Sequence, residues 1–271
     1  MKMDKEIEQT GGLLHKRIEE MSLNGWPALQ TVMFDGWLLR FADGYTKRSN
    51  SVSALYGHIL ELDGKIRVCE QLYAQRGLRT VFKITPFCRP DGLDAELEAR
   101  GYELLDRSLV KTLPLSDAEP PDEGGDLKLE DRLTEEWLNA FSVLSGLTEE
   151  HKDITRKMMD QSPLEKGFAV LYDNGVPVAC GIAVIEDGWI GLYDIFTDRE
   201  KRNRGYGRQI VLHLLDWGKS RGAREAYLLV VKDNAPACRL YDKIGYKTVY
   251  EYWYRAQRLH RCSFILRSGF S

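Results

Sequence analysis

The turn Arg202-Asn203-Arg204-Gly205-Tyr206-Gly207-Arg208 combines two glycines with three arginines, and that composition can hold phosphate. Where such a turn opens a helix, the first backbone N–H groups have no internal partner and lie at the positive end of the helix dipole. Gly205 and Gly207 carry no Cβ, so the backbone can close on a pyrophosphate and take positive φ where needed. The arginines add positive charge and planar donors around the same point. The turn is a candidate pyrophosphate cradle. A plain surface turn can share this composition, so its surroundings decide its meaning.

Those surroundings are a strand before the turn and a helix after it. Ile190 to Phe196 (IGLYDIF) is an apolar run of strand length, rich in branched and aromatic side chains. Behind the turn, Tyr206, Ile210, Leu214 and Trp217 fall on one helical face, with Val211 and Leu215 beside them. A second apolar run, Ala226 to Val231, leads into Lys232 to Tyr246 (KDNAPACRLYDKIGY). Asn234 stands at the end of that strand, and Gly245 closes a short helix. The order R-x-x-G-x-G, strand, N-x-x-A-x-x-L-Y-x-K-x-G-Y resembles the GNAT superfamily of acyl-CoA-dependent N-acetyltransferases. Asn234, Ala237, Leu240, Tyr241, Lys243, Gly245 and Tyr246 all stand where that family's pattern expects them.

The resemblance implies a co-substrate, acetyl-CoA, and a set of roles. Main-chain N–H groups of Ile195, Phe196 and Thr197 would pair with the pantetheine arm and face the thioester carbonyl. Arg202, Asn203, Arg204, Gly205, Tyr206, Gly207 and Arg208 would take the pyrophosphate, and Asn234 would hydrogen-bond the pantetheine. Tyr241 resembles the family's general acid; a phenol of pKa ~10 stays protonated at neutral pH and can protonate a thiolate. Asp194 lies on the strand where many members carry a glutamate and is the candidate base. Glu186, or a water chain with no single base, is the alternative. No cysteine sits in the turn Arg202 to Arg208 to carry an acyl group, so direct transfer in a ternary complex is expected.

Composition narrows the class. The chain has 271 residues, more than one domain usually needs, and its 43% hydrophobic and 29% charged content are those of a globular protein. No apolar run approaches the ~20 residues of a membrane span, and the charged N-terminus has no secretory core, so a cytoplasmic location is expected. The net charge of −3 gives no reason to expect nucleic acid or a membrane as partner. Five scattered cysteines (Cys69, Cys88, Cys180, Cys238, Cys262) suit reduced thiols, and no metal is expected. A homodimer is compatible with all of this.

Along the chain, Lys5 to Met21 has helical spacing, with Gly11-Gly12 as a candidate break, and a short helical turn is expected after Asn24 to Pro27. Phe34 to Leu55 suggests two strands around Asp43-Gly44. The second is polar throughout (Arg48, Ser49, Asn50, Ser51, Ser53). A solvated edge strand is one reading; the other is that Arg48 and Asn50 line an acceptor pocket walled by Trp26 and Tyr45. Helix, strand, helix and strand then follow at 65–76, 80–84, 93–100 and 102–113.

Tyr73 to Ile84 matches Trp217 to Val230 in pattern, and Gly77 and Gly101 are 24 residues apart where Gly222 and Gly245 are 23 apart. A duplicated fold is expected. The first copy lacks R-x-x-G-x-G and the tyrosine. Pro114 to Asp126, rich in proline, glycine and acid, marks the boundary. Helices are expected at 134–144, capped by Thr134, and at 149–161, with Glu149, Glu150 and His151 as candidate acceptor contacts. A three-strand meander follows from Phe168 to Phe196, and the basic tail after Arg255 is read as a last strand or extension.

The expected architecture is α/β (α+β): two tandem GNAT-like domains, each a mixed, mostly antiparallel sheet flanked by helices. Residues 1–118 form a degenerate copy without a cofactor motif, 119–126 the linker and 127–271 the catalytic domain. The expected activity is acetylation of a primary amine, of a small molecule, at the cleft between halves. The rivals are a protein N-acetyltransferase and a non-catalytic acyl-CoA-binding regulatory module.

Overall fold

The computed structural model describes residues 2–122 and 125–258, with side chains from Gly12 onward. The reading of a last strand within the tail lies, beyond residue 258, outside the described residues.

A long helix opens the chain, α1 (Lys2–Gly25), and it runs straight through Gly11-Gly12. Two glycines cost a helix about 1 kcal/mol each, which burial of Ile18 and Met21 on the core face outweighs. The segment after Pro27 is a strand and not a helical turn: β1 (Gln30–Phe34) pairs with β2 (Trp37–Phe41) around Asp35-Gly36, with φ 42° and 80°. β3 (Val52–Ser53), α2 (Leu62–Ala74), β4 (Val81–Ile84), α3 (Leu93–Ala99) and β5 (Glu103–Pro114) complete the first half.

The second half follows the expected order closely. It runs β6 (Asp126–Glu130), α4 (Glu135–Ser145), α5 (Glu149–Gln161), β7 (Glu165–Asp173), β8 (Val176–Glu186), β9 (Trp189–Thr197), α6 (Tyr206–Ser220), β10 (Glu225–Val231), α7 (Ala235–Ile244) and β11 (Lys247–Ala256). The Thr134 hydroxyl accepts from Trp137 N–H at 3.1 Å, capping α4 as expected.

The eleven strands among the described residues share one sheet, in the order β1-β2-β3-β4-β11-β5-β10-β9-β8-β7-β6. Only β3/β4 and β9/β10 are parallel; every other pair is antiparallel. The two halves exchange their last strands: β5 pairs with β10, β11 pairs with β4, and β5 and β11 pair with each other. The sheet therefore runs without a break across the expected boundary at 119–126.

One face of the sheet is covered by α2, α3, α6 and α7, the other by α1, α4 and α5. Under α1 the covered face is polar. Ser53, Lys83 and Tyr254 stand in register on three adjacent strands, with Arg40, Ser51 and Thr85 beside them, all at most 4% exposed. This corrects the solvated-edge reading of residues 48–53: Lys47–Ser49 is a 3-10 turn, β3 is interior, and Ser51 and Ser53 are buried. The matching polar groups on α1 explain the arrangement. Glu19 accepts from Lys83 Nζ and from Tyr250 Oη at 3.0 Å. Arg40 donates to the carbonyls of Leu23, at 2.9 Å, and Trp26, ending α1 with a cation on its orphan carbonyls.

Candidate active site

The sheet opens between β9 and β10. β9 and β10 pair only from Trp189/Glu225 to Leu192/Leu228. Beyond that, β9 stays with β8 and β10 stays with β5, so a wedge opens at Tyr193 and Leu229. Asp194 sits at its apex on a β-bulge, with φ 46°. Asp198 N–H donates to Val178 O at 2.9 Å, toward β8. Strand alternation then turns Phe196 toward β8 and leaves the N–H groups of Ile195 and Thr197 facing the wedge. Of the three expected N–H groups, Phe196 is thus turned away; its ring packs on Phe141, centroids 5.5 Å apart.

The arginine-glycine turn sits at the head of α6, beyond the wedge. Gly205 is its N-cap, at φ 86°, a left-handed conformation that a side chain resists. No side chain caps this helix, and among the described residues no backbone carbonyl accepts from the N–H groups of residues 202–207. A Cβ at Gly207 would lie 3.0 Å from Thr197 Oγ1 and 3.5 Å from Leu240, so glycine lets α6 approach both β9 and α7. Arg202, Asn203 and Arg204 are exposed, and Tyr206 is half-buried. This is a cradle of free donors with a cationic rim, and it fits a pyrophosphate. Arg208 departs from the expected set. Its guanidinium pairs with Glu119 and lies 3.6 Å from Asp122, so its charge is spent on the acidic linker.

Tyr241 lies on α7, one residue past the Leu240 that borders the cradle. It is 7% exposed, its ring meets Tyr246 edge-on at 5.9 Å, and burial pushes its phenol above the ordinary value. The group stays protonated, as an acid must before it acts. Asn234 caps α7, its Oδ1 accepting from Ala237 N–H at 3.3 Å. One lone pair of its oxygen is therefore used by the helix, and its amide N–H groups have no protein acceptor among the described residues.

On the α1/α4/α5 side of the wedge, the first half supplies residues. Arg48 Nη2 donates to Asp194 Oδ1 at 2.7 Å, and the Arg48 guanidinium lies 4.6 Å from the centroid of Trp26. Burial alone would lower the Arg48 guanidinium; the Asp194 carboxylate more than reverses this, and the net shift is upward. Tyr45 stacks near His151 of α5, centroids 4.8 Å apart, and its phenol is pushed up to about 12, first by burial and then by Asp194. Arg48 and Tyr45 thus lie beside Asp194, with Trp26 packed on Arg48 and His151 on Tyr45.

Four other expected residues do not join them. Asn50 is buried and spent on the backbone: its Oδ1 accepts from Ala42 and Gly44, and its Nδ2 donates to the Tyr45 carbonyl at 2.7 Å and to that of Thr46. It shapes the loop that carries Tyr45 and Arg48. Glu149 and Glu150 are exposed in the first turn of α5, where Lys152 donates to Glu149. Glu186, the alternative base, accepts from Arg17 and Asn24 at the far end of β8, opposite Trp189 and away from the wedge. It anchors α1. A buried pair that sequence reasoning missed, Tyr193 and Tyr227, joins hydroxyls at 2.6 Å beneath the wedge; tyrosines on two strands carry no signal that they meet.

This geometry has counterparts. Residues 15–255 match the family model described as "Probable histone acetyltransferase Rv0428c C-terminal". The chain belongs to that family, within the GNAT superfamily. A Bacillus subtilis relative, "Uncharacterized N-acetyltransferase YobR", is 31% identical over 90% of this chain and 98% of its own. A GCN5-related N-acetyltransferase structure from Kribbella flavida superposes with TM-score 0.69 at 16% identity, over 90% of this chain and 95% of that one. A tandem GNAT protein from the clavulanic acid pathway gives 0.54 at 13% identity, over 76% of this chain and 75% of that one. The chain is a GNAT-family acyltransferase, and the fold implies acetyl-CoA as its co-substrate. Among the described residues no helix is long and apolar enough to cross a membrane, and no cluster of metal-ligating side chains occurs.

Proposed function

We propose that this GNAT acyltransferase acetylates the primary amine of a small molecule by direct attack in a ternary complex. The observation that carries the reading is the wedge between β9 and β10, which runs from the uncapped head of α6 to Asp194 and the residues of the first half around it. Acetyl-CoA supplies the acyl thioester. The free N–H groups of residues 202–207 hold its pyrophosphate, and those of Ile195 and Thr197 meet the oxyanion as the amine nitrogen bonds to the carbonyl carbon. Tyr241 gives its proton to the sulfur as the C–S bond breaks, and water carries off the proton the amine loses. Asp194, held by Arg48, orients the amine.

In this reading residues 1–118 are a degenerate GNAT copy. β3 and β4 repeat the parallel pair of β9 and β10, but no glycine cradle follows β3. That copy delivers the acceptor side, and the protein works in the cytoplasm. The family is described as a probable histone acetyltransferase; a protein acceptor is the second reading.

Thermal unfolding with and without acetyl-CoA tests the binding step, on wild type and on Gly205→Glu. At 100 times the dissociation constant, a ligand that binds only the folded state adds about 2.7 kcal/mol. Wild type is expected to be stabilised and the variant not. Free-thiol release across small amines, and across lysine-bearing peptides, then separates the two acceptor readings. Stabilisation without release by any amine or peptide would leave an acyl-CoA-binding regulatory module.

A further inference from the structure

We propose that the acceptor carries an anionic group, a carboxylate, a few ångströms from its amine, and that Arg48 binds the anion while Asp194 binds the amine. The inference rests on the acetyl-transfer reading above.

Arg48 has five N–H donors, and the one on Nη2 that reaches Asp194 is the only one with an acceptor among the described residues. Its side chain is 27% exposed, and the Trp26 ring supports one face. A guanidinium packed this way loses water from its remaining donors, which is costly unless a ligand takes them. A carboxylate matches its planar fork and can accept two bonds at once.

The loop is built to hold this position. Arg40, 3% exposed, donates to the Arg48 carbonyl at 2.7 Å. Asn50, 6% exposed, fixes the turn from Ala42 to Thr46, and the Thr46 and Ser49 hydroxyls meet at 2.8 Å. Two buried polar side chains thus pin the backbone on either side of a half-open arginine. A simple strut between halves would not need that precision.

Asp194 is the complementary half. Its left-handed φ of 46° is a conformation that L residues rarely keep without a reason, and the bulge aims its carboxylate at Arg48. Oδ2 has no hydrogen-bond partner among the described residues. It can accept from an amine placed one residue from the Ile195 N–H. An acceptor with amine and carboxylate close together satisfies both groups while the Arg48–Asp194 bond stays in place. A lysine side chain in a protein has no carboxylate so near its amine and leaves the arginine fork empty.

The test uses the full chain, saturating acetyl-CoA and matched acceptors that differ in the anion: α- and ω-amino acids against their amides. Thiol release is read as kcat/KM. Wild type is expected to prefer the anionic member by about 10- to 100-fold, the range of charge-assisted hydrogen bonds. In Arg48→Gln that ratio falls to about one, through KM for the anionic member, and Arg48→Lys keeps part of it. The melting temperature of each variant monitors folding. Two results overturn the proposal: no preference in wild type for any pair, or an Arg48→Gln variant that slows both members equally, which makes Arg48 a strut. If neither set releases thiol while another small amine or a lysine-bearing peptide does, this proposal falls and the acetyl-transfer reading stands; if nothing releases it, both fall.

Discussion

Tyr241 shows what a single position can reveal. Seven residues from Asn234 on a short helix, it is picked out by the motif's resemblance to the GNAT pattern, and the fold places it beside the cradle with a phenol held protonated by burial. Its hydroxyl makes no hydrogen bond among the described residues, so Tyr241→Phe keeps the ring packing and loses only the proton donor. The expected result is a fall in kcat of about 100- to 10,000-fold with an unchanged melting temperature, read by thiol release and calorimetry side by side. Asp194 was visible only as an acid on the right strand. Its bulge, its left-handed backbone and its partner Arg48, 146 positions away in sequence, are products of folding.

Among the elements, α1 is the one whose role is least evident from its own residues. A charged amphipathic helix ordinarily keeps its charges in water, yet Glu19 is fully buried against Lys83, itself 3% exposed. Removing one partner of such a pair strands the other, at a cost of about 3–5 kcal/mol out of the 5–15 that folds a domain. Lys83→Met is expected to lower the denaturant midpoint strongly, and Glu19→Leu combined with Lys83→Met to recover most of the loss.

The hairpin of β1 and β2 offers a pH test. The Asp35 carboxylate accepts from Leu60 N–H at 3.0 Å, from the ammonium of Lys65 and from Ile59 N–H at 2.9 Å, and these hold it down at about 2. Its folded pKa lies below the unfolded value of ~3.9, so its contribution is present above that value and lost as pH falls toward 2. In acid titrations followed by circular dichroism, Asp35→Asn is expected to be less stable than wild type at pH 6 and to converge with it near pH 2. β1 itself escaped the sequence reading because its five residues are short and mostly exposed, with no buried face to mark a period.

At the scale of the whole molecule, the exchange of β5 and β11 governs how the halves depend on each other. β10 needs β5 beside it, and β4 needs β11, so each half alone would leave two strands without their partners. Residues 125–271 expressed alone are expected to be unfolded or aggregated, and co-expression with residues 1–122 to restore a cooperative melt. A soluble, acetyl-CoA-binding second half would instead show that the linker at 119–126 divides independent domains.

What the sequence determined by itself is local: the arginine-glycine turn, the order of helices and strands in the second half, the meander turns at Asn174-Gly175 and Asp187-Gly188, and the motif spacing whose resemblance points to the GNAT superfamily. Such features rest on periodicity, caps and turn chemistry, whose interactions span a few residues. What only the tertiary structure decided is long-range. It chose which strand lies between β10 and β11, it buried a polar face beneath α1, and it brought Arg48, Trp26 and Tyr45 of one half to Asp194 of the other. The physical reason is that any alternating strand presents the same backbone donors and acceptors to any neighbour, so partners distant in sequence are selected only by how the whole sheet and its helices pack.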